Sequence, residues 1–116
     1  MAEAKEKTVR IYRDPRGRCP YLDWFSALRD NRAKQKIQAR LARVRLGNVG
    51  HTNSVGEGVH ELKIDFGPGY RIYFGQDGDE LVILLCGGDK SSQAEDIAKA
   101  KTYWRDYREE RDHADA

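Results

Sequence analysis

At 116 residues, with 34% charged side chains and a net charge of only +2, the chain has room for one hydrophobic core and not for two. A mean hydropathy of −0.83 and no apolar run near the roughly 20 residues of a bilayer span argue against a membrane protein. Two cysteines, Cys19 and Cys86, without Cys-x-x-Cys spacing, exclude a disulfide scaffold and fit a reduced, cytoplasmic setting. The opening MAEAKEKT is charged and has no apolar core, so no secretory signal is expected. A pI near 8.6 lies below what a stand-alone nucleic-acid binder usually shows.

Thr8 to Arg13 (TVRIYR) alternates apolar and polar residues and predicts a strand. Asp14 to Gly17 (DPRG) predicts a turn. A short helix follows, with Pro20 tolerated in its first turn and Leu22, Phe25 and Leu28 on one side. A second helix is predicted from Arg32 to Leu46, stopped by Gly47 at the position that favours a left-handed residue. Ala33, Ile37, Leu41 and Val44 form its single apolar stripe. The two helices make a hairpin able to cover one face of a sheet. Residues 47–58 are polar and aperiodic and read as a loop.

Val59 to Phe66 places Leu62, Ile64 and Phe66 on one face and Glu61, Lys63 and Asp65 on the other. Tyr70 to Gly75 sets Tyr70, Ile72 and Phe74 opposite Arg71 and Tyr73. Gly67-Pro68-Gly69 and Asp77-Gly78 are hairpin connections, the second with an acidic tip of Asp77, Asp79 and Glu80. Leu81 to Cys86 is apolar on both faces and predicts an interior strand. The expected product is a small antiparallel sheet with one buried face and one face presenting positive charge. After Gly87-Gly88-Asp89-Lys90 a last helix begins, with Ser92 and Glu95 in capping-box spacing and Ile97, Ala100, Trp104 and Tyr107 packing inward. From Asp106 onward mixed charges predict a frayed, solvated end.

Pairing the apolar faces puts Leu62 beside Ile72 and Lys63 beside Arg71. Two cations directly opposed on a sheet repel, and an anion bound between them removes the conflict. Lys90, next to a helix N-terminus with free N–H groups, adds a third cation to such a phosphate site. The competing reading is that Glu61 and Asp65 neutralise Lys63 in surface pairs of little energetic value. On the second helix Arg32, Lys36, Arg40 and Arg43 lie along one flank, either tracking a nucleic-acid backbone or forming a solvated face. Gly56-Glu57-Gly58 and GGDKS lack the context of nucleotide-binding loops. His51, His60 and His113 lack metal-ligand spacing, and no nucleophile triad is evident.

HELKIDFGPGYRIYFGQDGDELVILLCGGDKSSQAEDI, with YLDWFSAL, RAKQKIQARLARVRLGNVG and VGEGVHELK upstream, resembles the RelE/ParE superfamily of bacterial toxins, in its HigB-like addiction-module killer branch. The resemblance covers roughly Val9 to Tyr107, and GPGYRIYF and LLCGGDKSSQ are its most specific parts. It implies an α+β, RelE-like single domain over residues 1–116: an N-terminal strand and helical hairpin on a curved antiparallel sheet, then a C-terminal helix. Residues 1–7 and 108–116 are expected to be flexible. The implied function is the toxin of a type II toxin–antitoxin system, a metal-independent and cofactor-free mRNA endonuclease. It acts at the ribosome, inhibits translation and is silenced by an antitoxin. The resemblance assigns the catalytic positions to Arg71, Lys63 and Lys90; the flank of Arg32, Lys36, Arg40 and Arg43, read from its spacing, is then expected to bind RNA. The aromatic or His residue of the family's C-terminal segment has no counterpart here. The nearest position is the acidic Asp96, so proton transfer stays open between groups that include Asp96 and His60. The alternative is a ParE-like toxin that poisons DNA gyrase by binding, and a third is an inactive adaptor.

Overall fold

The computed structural model describes residues 5–114. The strands are β1 (Thr8–Ile11), β2 (Thr52–Gly56), β3 (Val59–Ile64), β4 (Tyr70–Asp77) and β5 (Leu81–Gly88). They form one sheet in the order β1-β5-β4-β3-β2, antiparallel except for the parallel pair β1–β5. The helices are α1 (Pro20–Ala27), α2 (Asn31–Arg45) and α3 (Gln93–Ala114), the last preceded by a 3₁₀ turn at Lys90–Ser92. The expected α+β single domain is the one observed.

α2 forms because its apolar residues recur at helical spacing and because Asp30 caps it. The Asp30 carboxylate accepts from the backbone N–H groups of Arg32 and Ala33, satisfying donors that have no partner inside a helix. Ala33, Ile37, Leu41 and Val44 are all buried against Leu62 and Ile72 of the sheet, as their stripe predicts. α1 packs on the same face through Phe25 and Leu28, as expected, with Tyr21 and Trp24 beside them, while Leu22 falls outside the contact. Tyr21 is buried and Leu22 is 41% exposed, because Tyr21 stacks on Phe25 and meets the tilted ring of Trp24, which lies over Gly87 of β5.

The second face corrects a further expectation. It is not an open cationic surface: α3 lies across it and builds a second core from Val59, Tyr73, Ile83, Leu85, Ala100 and Trp104. A bulge in β5 helps, since Tyr73 pairs with Cys86 and Phe74 with Leu84, leaving Leu85 as an extra residue. Leu85 and Cys86 therefore both belong to the α3-side core. Residues 47–58 are not all loop either. Thr52–Gly56 pairs with β3 through a two-residue turn, Glu57-Gly58, whose residues both have positive φ, as a type I′ hairpin requires.

The capping box expected from Ser92 and Glu95 does not form. Asp89 caps the 3₁₀ turn through the N–H of Ser91, and the Ser92 hydroxyl donates to Asp96 instead. α3 stays helical through Ala114 where fraying was expected, because Tyr107 and Arg111 both bond Asp77 at the β4–β5 tip. The expected flexible ends fall in part on residues 1–4 and 115–116, which lie outside the described residues.

Candidate functional site

The β3–β4 hairpin builds the site. Its register sets Leu62 opposite Ile72 and Lys63 opposite Arg71, as face matching requires. β5 continues the frame by pairing Gly88 with Arg71, so Lys90 follows two residues beyond the cations. Lys63, Arg71 and Lys90 line one open groove of about 400 Å³, together with Asp65 and the Phe66–Gly69 connection. The three predicted catalytic cations are thus brought to one place.

They are not alike. Lys63 is 47% exposed and 3.6 Å from the carboxylate of Asp65, itself 90% exposed, a surface pair of the kind worth little. Arg71 is buried, with only 7% of its side chain accessible. Its Nη1 donates to the carbonyl of Gly69 at 2.8 Å, and its Nε lies 3.6 Å from Oε2 of Glu61. Glu61 is equally buried and its Oε2 accepts from the Tyr73 hydroxyl at 3.2 Å and from Gln93 Nε2 at 2.8 Å. Burial, and then the Glu61 carboxylate, push the Tyr73 phenol far above its ordinary value, so it stays protonated and remains a donor. The reading of Glu61 as a surface partner of Lys63 therefore gives way: Asp65 has that role, and Glu61 faces Arg71 inside the protein.

A second groove of about 280 Å³ runs between α2 and the end of β3, lined by Lys36, Arg40, Arg43, Lys63 and Asp65 among others. It exists because β2 stops pairing at Thr52–Leu62, which leaves Lys63 and Ile64 uncovered on that edge. Lys63 and Asp65 belong to both grooves, so the α2 cations and the hairpin cations form a continuous surface. Lys36 sits over the Phe66 ring at 5.5 Å. Arg40 also has a structural duty: its Nη2 donates to the Val49 carbonyl at 2.7 Å, and burial holds its guanidinium below the ordinary value. Arg32 is exposed in the first turn of α2 and lines neither groove.

The helix N-terminus beside Lys90 is not free for an anion. The Asp89 carboxylate accepts the Ser91 N–H and hydroxyl, which hold it below the usual carboxylate range. His60 stacks on Phe74, and Asp96 is buried against Gly88; neither lines the groove. Glu61 was partly legible in the sequence, since alternation places it on the Arg71 face and directly across from Tyr73. Gln93 carried no sequence signal. Among the described residues no three His, Cys, Asp or Glu side chains gather as a metal site, and no helix is long and apolar enough to cross a membrane.

The family model described as "Phage derived protein Gp49-like (DUF891)" matches residues 23–112, from within α1 to near the end of α3. A Haemophilus influenzae protein described as an uncharacterized protein is 54% identical over 78 residues, which is 67% of this chain and 79% of that protein. The family match spans Glu61, Lys63, Arg71 and Lys90 together.

Proposed function

The chain belongs to the Gp49-like family, a family associated with addiction-module toxins, and from that premise we propose that it is the RelE/HigB-type toxin of a type II pair, cutting mRNA. The observation that supports this most is the direct opposition of Lys63 and Arg71 across β3 and β4, in a groove that Lys90 also lines. Each cation has a carboxylate 3.6 Å away, Asp65 for Lys63 and Glu61 for Arg71, but Asp65 is 90% exposed and Glu61 lies behind the groove, so the groove side of the pair stays cationic. A phosphodiester held there meets both cations at once.

In the proposed reaction the ribose 2′-oxygen attacks the adjacent phosphorus and gives its proton to water, the P–O5′ bond breaks, and the 5′-oxygen takes a proton from water, leaving a 2′,3′-cyclic phosphate and a 5′-hydroxyl. Arg71 meets the charge that builds on the non-bridging oxygens, as a group that stays charged throughout. In this reading Lys63 is assigned to the 2′-hydroxyl and Lys90 to the leaving oxygen, both cations of the one groove that Arg71 lines. Lys36 and Arg43, on the adjoining groove, guide the flanking strand. The ribosome supplies further positioning, which is consistent with a net charge of only +2. The antitoxin silences the toxin by covering this cationic surface.

The test is translation in a bacterial cell-free system with mRNA ends mapped by primer extension. Wild type should cut within translated codons, and Arg71→Ala should lower cutting by about 100-fold, the scale of losing one preorganised transition-state donor. Full cutting by folded Arg71→Ala would refute the assignment. Intact mRNA with broken DNA would favour a gyrase-poisoning toxin instead.

A further inference from the structure

Glu61 lines neither groove, yet it is the carboxylate that the fold buries against the guanidinium of the site. A buried carboxylate is costly unless several donors meet it. Here the donors come from two other elements: Tyr73 on β4 at 3.2 Å and Gln93 at the start of α3 at 2.8 Å. Both reach Oε2, the same oxygen that lies 3.6 Å from Arg71 Nε. Asp65, 90% exposed, shows the contrast, because its ion-pair partner is the half-exposed Lys63 in solvent.

The guanidinium itself is held on two sides. Of its five N–H donors, one on Nη1 goes to the Gly69 carbonyl at 2.8 Å. Nε is buried, faces Glu61 and has no hydrogen-bond partner among the described residues. Nη2 takes part in neither interaction. An arginine free to swing would have to lose that freedom each time it met a phosphate; burial, the Gly69 bond and the Glu61 ion pair restrict this one beforehand.

We infer that Glu61, braced by Tyr73 and Gln93, is a positioning residue that locks the Arg71 guanidinium with its Nη end toward the groove. The inference rests on reading that groove as the site of a reacting RNA phosphate. Glu61 touches no substrate. It acts through Arg71, and so chiefly on the step in which charge builds on phosphorus rather than on binding of the strand. Gln93 also ties the orientation of Arg71 to the start of α3.

The test uses the full chain and its Glu61→Gln and Tyr73→Phe variants. Three quantities are read: mRNA cleavage rate, affinity for a single-stranded RNA blocked by 2′-O-methylation, and solvent exchange of the Arg71 Nε–H resonance, assigned by its loss in Arg71→Lys. Glu61→Gln keeps the side chain's size and removes its charge. It should slow cleavage about tenfold or more, within the reach of small misplacements, while RNA affinity changes less than about threefold and Nε–H exchange quickens about tenfold. Tyr73→Phe should shift cleavage and exchange in the same directions by less. Wild-type cleavage by folded Glu61→Gln, or equal loss of cleavage and affinity, overturns the inference. Should Glu61→Gln fail to fold, Tyr73→Phe decides: slower cleavage with faster exchange supports the role, and no change in either overturns it. If wild type leaves mRNA intact, the nuclease reading fails on its own. The resonance then still decides whether Glu61 locks Arg71, since slow exchange in wild type must become fast in Glu61→Gln.

Discussion

Gly75 and Gly87 show how narrowly single residues are constrained on the two faces of the sheet. Neither needs an unusual backbone conformation; what each lacks is room. A Cβ on Gly75 would run into the indole of Trp104, and one on Gly87 into that of Trp24. Gly75→Ala should therefore destabilise the fold by about 1–3 kcal/mol, the ordinary cost of overpacking a close-packed interior, read as a lower urea midpoint. Trp104 is buried and stacked on Tyr107, with ring centroids 5.2 Å apart, so the interior leaves it little room to move aside. At this scale the sequence was a good guide to the cations and a poor one to their counter-charges. Lys63 and Arg71 stand where strand alternation puts them. Glu61 is buried, and the side chain of Gln93 that donates to it stands 32 positions later in the chain.

Among the elements, α2 has two functions on two sides. Its apolar stripe anchors the helical layer, and the flank adjoining that stripe offers Lys36 and Arg43 to the groove shared with Lys63. If that flank follows an RNA strand, the Lys36→Ala and Arg43→Ala pair should flatten the plot of log affinity against log salt. The slope should fall by about 0.7 for each phosphate of a single strand that the variant no longer neutralises. An unchanged slope would make the flank a solvated face. Arg40→Ala would be a poorer probe, since it also breaks the bond to Val49 that fastens the connection into β2. α2 was legible because its period is local and its cap, Asp30, adjoins it. β2 was not, because Thr52–Gly56 lacks an alternating apolar pattern and its turn is Glu-Gly rather than the usual Asn-Gly or Asp-Gly.

Over the whole molecule, tyrosine hydroxyls tie the layers together. Tyr12, the residue after β1, donates to Asp106 on α3, and Tyr107 of α3 donates to Asp77 at the end of β4. Burial first, and the neighbouring carboxylates second, raise both phenols, Tyr107 to about 12. Tyr21 is pushed up to about 12 by burial alone, against the pull of Arg45. The sign follows from the protons bound. Above the ordinary value of 10.0 the unfolded chain gives up these protons while the folded one keeps them. This stabilisation is therefore complete below about pH 10 and drains away as pH rises toward 12 and beyond. Urea midpoints should be level at neutral pH and fall steeply above about pH 10, with phenolate absorbance appearing together with unfolding. Phenolate that appears near its ordinary value with the fold intact would show these hydroxyls to be free.

By itself the sequence determined the helical stripe of α2, the β3–β4 register and the meeting of Lys63 with Arg71. All three follow from periods of 3.6 or 2 residues and from short turns, which are properties of neighbouring residues. Only the tertiary structure decided that β1 runs parallel beside β5, that α3 closes the second face, and that Glu61 rather than Asp65 answers Arg71. Each of those depends on surfaces brought together from distant parts of the chain, where burial, and not local pattern, sets which charge meets which.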